Sequence, residues 1–168
     1  VQDTADFVGD SYELSKKAAD AGDFETIVFA GVRFMAETAK ILSPQRKVLL
    51  PVLAAGCPMA DMIDEHQLAK FKSENPGAKV VCYVNSDVRT KALSDVCVTS
   101  SNAVKIVKKL DADKILFVPD MHLGSFVAEQ IPEKEIICWK GFCPVHHAVK
   151  PEDVIEARKL WPDAVVLM

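Results

Sequence analysis

The sequence predicts an α/β protein made of repeated three-layer αβα domains with parallel sheets in a pseudo-threefold arrangement. Three observations lead there. Short β-branched runs alternate with helical runs, the turns after the predicted strands carry unusual polar residues, and blocks of sequence recur along the chain. Apolar runs bounded by turn residues and separated by helices are the pattern of βαβ units, which build a mostly parallel sheet.

In order, a helix is read at 11–21, closed by Gly22, because glycine readily takes the backbone conformation that ends a helix. A strand follows at 26–30, then a helix at 34–42 stopped by Pro44, then a strand at 47–50. Helix 65–74 precedes strand 79–84, and helix 87–94 precedes strand 96–99. Helix 101–110 leads to strand 114–118, helix 123–130 to strand 135–139, and helix 151–160 to a last strand at 164–168. Ligands of such folds gather at the carboxyl ends of strands. Those ends hold Gly31-Val32-Arg33, Asn85-Ser86, Thr99-Ser100-Ser101-Asn102, Pro119-Asp120 and Gly141-Phe142-Cys143.

The recurrence is the more informative feature. Cys57-Pro58-Met59 and Cys143-Pro144-Val145 stand 86 positions apart, and the same offset relates Pro76 to Pro162, Ala78 to Ala164 and Val80 to Val166. Phe7-Val8-Gly9-Asp10-Ser11 matches Tyr83-Val84-Asn85-Ser86, and Lys47-Val48-Leu49-Leu50-Pro51 matches Lys114-Ile115-Leu116-Phe117-Val118-Pro119. This predicts a first αβα domain over 1–57 without its beginning, a complete second domain over 58–144, and the start of a third over 145–168. With Val1 rather than methionine in first place, the chain reads as a fragment.

The 168 residues are 49% apolar and 26% charged with a net charge of −4, the balance of a globular protein that can bury a core. Lysines cluster only in short helix-face runs such as Lys105, Lys108 and Lys109, so no electropositive stripe for nucleic acid is expected. The longest apolar stretch, 48–60, is too short for a bilayer and is broken by prolines, and no secretory leader is visible. Five cysteines, an odd number without a leader, point to a reducing compartment and to metal or redox chemistry rather than a disulfide framework.

Cys57 and Cys143 each follow a strand in a turn stiffened by proline. Thiolates at equivalent repeat positions imply a third from the third domain, and three thiolates hold a cubane cluster with one iron open, unlike a four-cysteine electron-transfer cluster. An open iron is a Lewis acid that can polarise a hydroxyl for elimination. The plainer alternative makes each cysteine a small buried hydrophobe. Cys82, Cys97 and Cys138 lie within strands and are expected to be buried and inert. His146 and His147 follow Cys143, but a zinc site would show a second ligand pair at recognisable spacing. Capping of helix starts is expected of Ser11, Ser86 and Ser100 taken singly, although hydroxyls before a free helix start also suit phosphate or carboxylate. Asp10, Glu37 and Asp120 are candidate acids or bases. Two rival readings stay open: a metal-free module holding a small anion at 100–102, and a thiol enzyme using Cys143 with His146 or His147 as base.

Six ordered blocks carry a resemblance over nearly the whole chain. They are Val1-Gln2-Asp3 through Ser11, Gly31-Val32-Arg33-Phe34-Met35-Ala36-Glu37, Gly56-Cys57-Pro58-Met59-Ala60, Tyr83-Val84-Asn85-Ser86, Thr99-Ser100-Ser101-Asn102-Ala103, and Gly141-Phe142-Cys143-Pro144-Val145-His146. With them the chain resembles the quinolinate synthase family. The resemblance implies three αβα domains about a pseudo-threefold axis. It implies condensation of iminosuccinate (iminoaspartate) with dihydroxyacetone phosphate to quinolinate, with loss of phosphate and water, in cytoplasmic NAD biosynthesis. By the same resemblance Cys57 and Cys143 match two ligands of a [4Fe-4S] cluster whose third cysteine lies outside this chain. Ser11, Tyr83, Asn85 and Ser100 match substrate-binding positions, and Tyr83 is the candidate for help with proton transfer. Contact with the L-aspartate oxidase or dehydrogenase that supplies iminosuccinate is implied, with no nucleic-acid or membrane partner. The chain departs from the family pattern in lacking an acidic residue just before Gly56 and in carrying His122 where asparagine is common. The family's early histidine and tyrosine would precede Val1, and its His-Pro-Glu-Cys block would follow Met168.

Overall fold

A computed structural model describes residues 1–20, 22 and 24–167. The first elements are α1 (Ser11–Asp20), β1 (Thr26–Val28), α2 (Arg33–Leu42) and β2 (Lys47–Leu49). α1 starts after Asp10, whose carboxylate accepts from the amides of Tyr12 and Glu13 at 3.0 and 2.8 Å. The predicted end of this helix at residue 21 lies outside the described residues. β1 and β2 pair in parallel with Ile27 opposite Val48. Both side chains face α1 and α2, where Ala18, Phe29, Ala36 and Ala39 form a small core.

A second sheet follows. Its elements are α3 (Glu65–Ser73), β3 (Lys79–Tyr83), α4 (Val88–Ala92), β4 (Val96–Val98), α5 (Ala103–Lys109), β5 (Lys114–Val118), α6 (Met121–Gln130) and β6 (Glu135–Cys138). The four strands run parallel in the order β4-β3-β5-β6. Period-two alternation sends Val81, Ile115 and Phe117 to one face, against Val107, Val127 and Ile131. Val80, Cys82, Leu116 and Val118 go to the other face, against Ile63 and Leu68. Both faces are covered, which is why these strands read as continuous apolar runs. From β3 the chain goes to β4 on one side and then crosses to β5 on the other. That reversal leaves a crevice outside the carboxyl ends of β3 and β5, where Tyr83 and Asp120 stand.

The two sheets are tied by polar contacts. The Val88 amide donates to Glu37 Oε2 at 2.9 Å, Lys91 Nζ to Thr38 Oγ1 at 2.8 Å, and Arg33 pairs with Asp61 at 3.4 Å. After β6 come two helices, α7 (Pro144–Ala148) and α8 (Pro151–Leu160), each with proline in its first turn. α7 has only five residues, too few for an apolar periodicity to mark it in the sequence.

Three expectations are corrected. Residues 164–167 form no strand: Val165 and Leu167 are 83% and 89% exposed, and an apolar run without a neighbouring ladder has nothing to pair with. Met168, the last residue of that predicted strand, lies outside the described residues. Cys97 is exposed rather than buried, and Cys138 is half-buried, leaving only Cys82 of the three fully buried. Among the described residues no helix is long and apolar enough to cross a membrane.

Candidate active site

Each of the two Cys-Pro turns follows a parallel βαβ unit, β1-α2-β2 before Cys57 and β5-α6-β6 before Cys143. Cys57 is half-buried, and its carbonyl accepts from the Asp61 amide at 3.1 Å, folding 57–61 into a tight turn. Cys143 is also half-buried and caps α7, its carbonyl accepting from the His147 amide at 2.9 Å, with Pro144 in first place.

The segments beside these turns are clasped together. Trp139 Nε1 donates to the Met62 carbonyl at 2.9 Å, and the Phe142 amide donates to Met62 Sδ at 3.3 Å. A buried indole needs an acceptor, and here it takes one five residues past Cys57. Gly141 completes the arrangement. A side chain there would lie 2.5 Å from the Pro119 carbonyl, so only glycine lets the Cys143 loop pass against the end of β5. The Met121 amide donates to the Gly141 carbonyl at 2.7 Å across the same crossing.

Tyr83 ends β3 at the switch point and is half-buried. Burial raises its hydroxyl above the ordinary phenol range, and the negative charge of Asp120 adds to the shift. Interaction with the Ser100 hydroxyl pulls the other way, while charge on Cys57 and on Cys143 raises it further. Asn85 Nδ2 donates to Tyr83 Oη at 3.1 Å, which leaves the phenolic proton free to be donated outward.

Of the predicted site residues, hydrogen bonds join Asn85 to Tyr83, and the segments carrying Cys57 and Cys143 meet through Met62. Ser11 stands at the start of α1, where its carbonyl accepts from Ser15 Oγ at 2.8 Å. The serines do not cap helices, and this corrects the expectation. Aspartates do so: Asp10 for α1, Asp87 for α4 through the Thr90 amide at 2.7 Å, and Asp120 for α6 through the His122 amide at 2.9 Å. Ser86 Oγ donates back to the Tyr83 carbonyl at 2.8 Å, and Asn102 Oδ1 closes the 99–102 loop by accepting from the Thr99 amide at 2.7 Å.

Sequence reasoning named Arg33 at a strand end without a role and missed Asp61 and Met62. Arg33 and Asp61 line a narrow crevice beside Cys57 together with Gly56 and Asp87, so both sheets contribute to it. A wider hollow lies elsewhere, at the amino ends of β1 and β2 around Thr26 and Lys47. His122 Nε2 and His147 Nδ1 lie 2.9 Å apart and Phe142 packs on His147, so these histidines hold each other. Among the described residues no group of three or more histidine, cysteine, aspartate or glutamate side chains could hold a metal ion. Two half-buried thiols fit part of a cluster's ligand set and need a further ligand from elsewhere.

The family described as Quinolinate synthetase A protein matches residues 1–168. Quinolinate synthase of Alkaliphilus metalliredigens is 56% identical over 168 residues, covering 100% of this chain and 55% of the relative. That of Clostridium acetobutylicum is 58% identical over 167 residues, covering 99% of this chain and 55% of the relative. That of Dehalococcoides mccartyi strain CBDB1 is 57% identical over 168 residues, again 100% and 55%. The chain spans little more than half the length of these curated relatives.

Proposed function

The chain belongs to the Quinolinate synthetase A protein family, and from that premise we propose that it supplies much of the active site of a quinolinate synthase. The reaction proposed is the condensation of iminosuccinate with dihydroxyacetone phosphate to quinolinate, with loss of phosphate and water, for NAD biosynthesis in the cytoplasm. The iminosuccinate would come from an L-aspartate oxidase or dehydrogenase acting alongside. Cys57 and Cys143 are the proposed cluster ligands, with a third cysteine outside this chain. The single observation that carries the reading is the clasp at Met62, which takes the Trp139 indole on its carbonyl and the Phe142 amide on its sulfur and so holds the segments after Cys57 and before Cys143 side by side. A [4Fe-4S] cluster with one open iron, when bound, supplies a Lewis acid for loss of a hydroxyl.

The chain's own residues do the remaining work in this proposal. Asn85 orients the phenol of Tyr83, and burial with Asp120 keeps it protonated, so Tyr83 can donate a proton beside the thiols. Ser100 offers a hydroxyl to the same place, uncommitted to capping. The carboxyl ends of β3 and β5 set the crevice in which a small anionic substrate would lie. Ser11 is proposed as a further substrate hydroxyl from the first sheet, and its part depends on how 1–57 sits on the substrate. The separate cores of the two sheets support division of the chain into domains 1–57, 58–144 and 145–168, of which the paired βαβ-Cys-Pro units would be repeats in a pseudo-threefold assembly.

The test is anaerobic reconstitution with iron and sulfide of this chain extended to the relatives' full length. The expected outcome is a brown chromophore lost in Cys57→Ser and in Cys143→Ser and kept in Cys82→Ser. Colour that survives Cys143→Ser while turnover disappears would favour Cys143 as a nucleophile instead.

A further inference from the structure

Two cysteines outside the proposed site lie side by side on neighbouring strands of the second sheet. Cys82 of β3 and Cys97 of β4 are direct partners in the parallel register, so their side chains leave the sheet on the same face. Neighbouring strands lie about 4.8 Å apart, within the range of about 4.4–6.8 Å between α-carbons that a disulfide spans. One partner is sealed and the other open: Cys82 is fully buried, whereas Cys97 on the edge strand is exposed. Lys91 of α4 stands near both, with its ammonium anchored on Thr38 Oγ1 at 2.8 Å.

We propose that Cys97 and Cys82 form a cross-strand dithiol that is a reversible modification site for small-molecule disulfides of the glutathione type. The exposed thiol meets the reagent first. Hydrogen bonding from Cys82 lowers Cys97 to about 7, against the raising effect of burial and with help from the Lys91 charge. The same contact, with burial, raises Cys82 well above its ordinary value, so the buried sulfur keeps its proton until Cys97 has reacted. In the first step the Cys97 thiolate attacks one sulfur of the small disulfide, which splits to leave a mixed disulfide on Cys97 and one free thiolate that takes up a proton. In the second, Cys82 loses its proton and attacks Cys97 Sγ, expelling the second small thiol. Two protein thiols are oxidised and one small disulfide is reduced to two thiols. Cys82 immediately precedes Tyr83, and its Sγ lies 3.3 Å from the Tyr83 carbonyl oxygen, so closure of the pair would reach the backbone of the proposed proton donor.

Two measurements test this. The chain carrying Cys57→Ser and Cys143→Ser is incubated with oxidised glutathione, quenched in acid, alkylated, cut with trypsin (Arg89 and Lys91 lie between the two cysteines) and read by mass spectrometry. The expected product joins the Cys82 and Cys97 peptides and is undone by dithiothreitol, while in a Cys82→Ser version glutathione stays on Cys97. Cys97 remaining free, or holding glutathione beside an intact Cys82, overturns the proposal. The second measurement needs no substitution: the rate at which iodoacetamide labels Cys97 at neutral pH in the folded chain and in urea. Against an ordinary thiol near 9.0, a value of about 7 gives about 50-fold more thiolate, each about eightfold less nucleophilic, so folded Cys97 should react about sixfold faster. An equal or slower rate in the folded chain overturns the proposal.

Discussion

The two sheets are both parallel and both apolar in sequence, yet they meet water differently. In the second sheet Val80, Val81, Cys82, Leu116, Phe117 and Val118 are wholly buried between helices on both faces. In the first, Ile27 and Val48 pack on α1 and α2, whereas Val28 and Leu49 point away from that core and are 63% and 45% exposed. A run such as Thr26-Ile27-Val28 announces a strand, but how much of it is covered depends on partners that the run cannot specify. The second sheet holds its catalytic candidates in a finished scaffold, and the first contributes Cys57 from a thinner one.

Truncation should separate the two most sharply. Phe117→Ala removes the largest fully buried side chain of the second sheet and should cost about 3–5 kcal/mol, while Val28→Ala should cost less than about 0.5 kcal/mol. Urea melts followed by circular dichroism give both values, and similar losses would erase the contrast. Next in size, Gly141→Ala drives a methyl group against the Pro119 carbonyl, and a loss of about 1–3 kcal/mol is expected in the same melts. Trp139→Phe keeps the ring on Phe71 but deprives the Met62 carbonyl of its donor, for about 1 kcal/mol. Since that bond ties the Cys57 side to the Cys143 side, hydrogen exchange at 57–62 should rise in the variant.

The smallest effect is a pH dependence confined to the second sheet. Asp95 is raised by partial burial, but the hydrogen bonds from Lys79 Nζ and the Val80 amide, both at 2.8 Å, outweigh this and leave its carboxyl below the usual value of 3.8. A carboxyl depressed on folding adds stability above its unfolded value and loses it as pH falls through the folded one. Melts should therefore be flat on this account down to about pH 4 and weaken below it, and Asp95→Asn should remove that part of the slope.

Much of the scaffold was legible because it rests on local signals. Six of the seven predicted strands form, each with β-branched residues between turn residues. The seventh, 164–168, carries the same composition, but the ladder that would hold it is a long-range matter. The cysteine turns and Tyr83 were visible from repetition and motif. Which residue caps each helix was not: Asp10 and Ser11, or Asp87 and Ser86, are adjacent candidates, and the one-residue choice is settled by backbone geometry. The exposure of Cys97 is also hidden, since a cysteine flanked by valines in a three-residue strand looks interior wherever it lies and only its place at the sheet edge opens it. The tie through Met62 joins residues 77 positions apart, a separation over which sequence pattern carries no register.

That methionine serves as a common abutment, receiving the indole of Trp139 on its carbonyl and the amide of Phe142 on its sulfur. Neither thiol-bearing loop can be repositioned without loading the other through it. Substitutions on the two sides should consequently fail to add, and oxidation of this one thioether would perturb both loops in a single event.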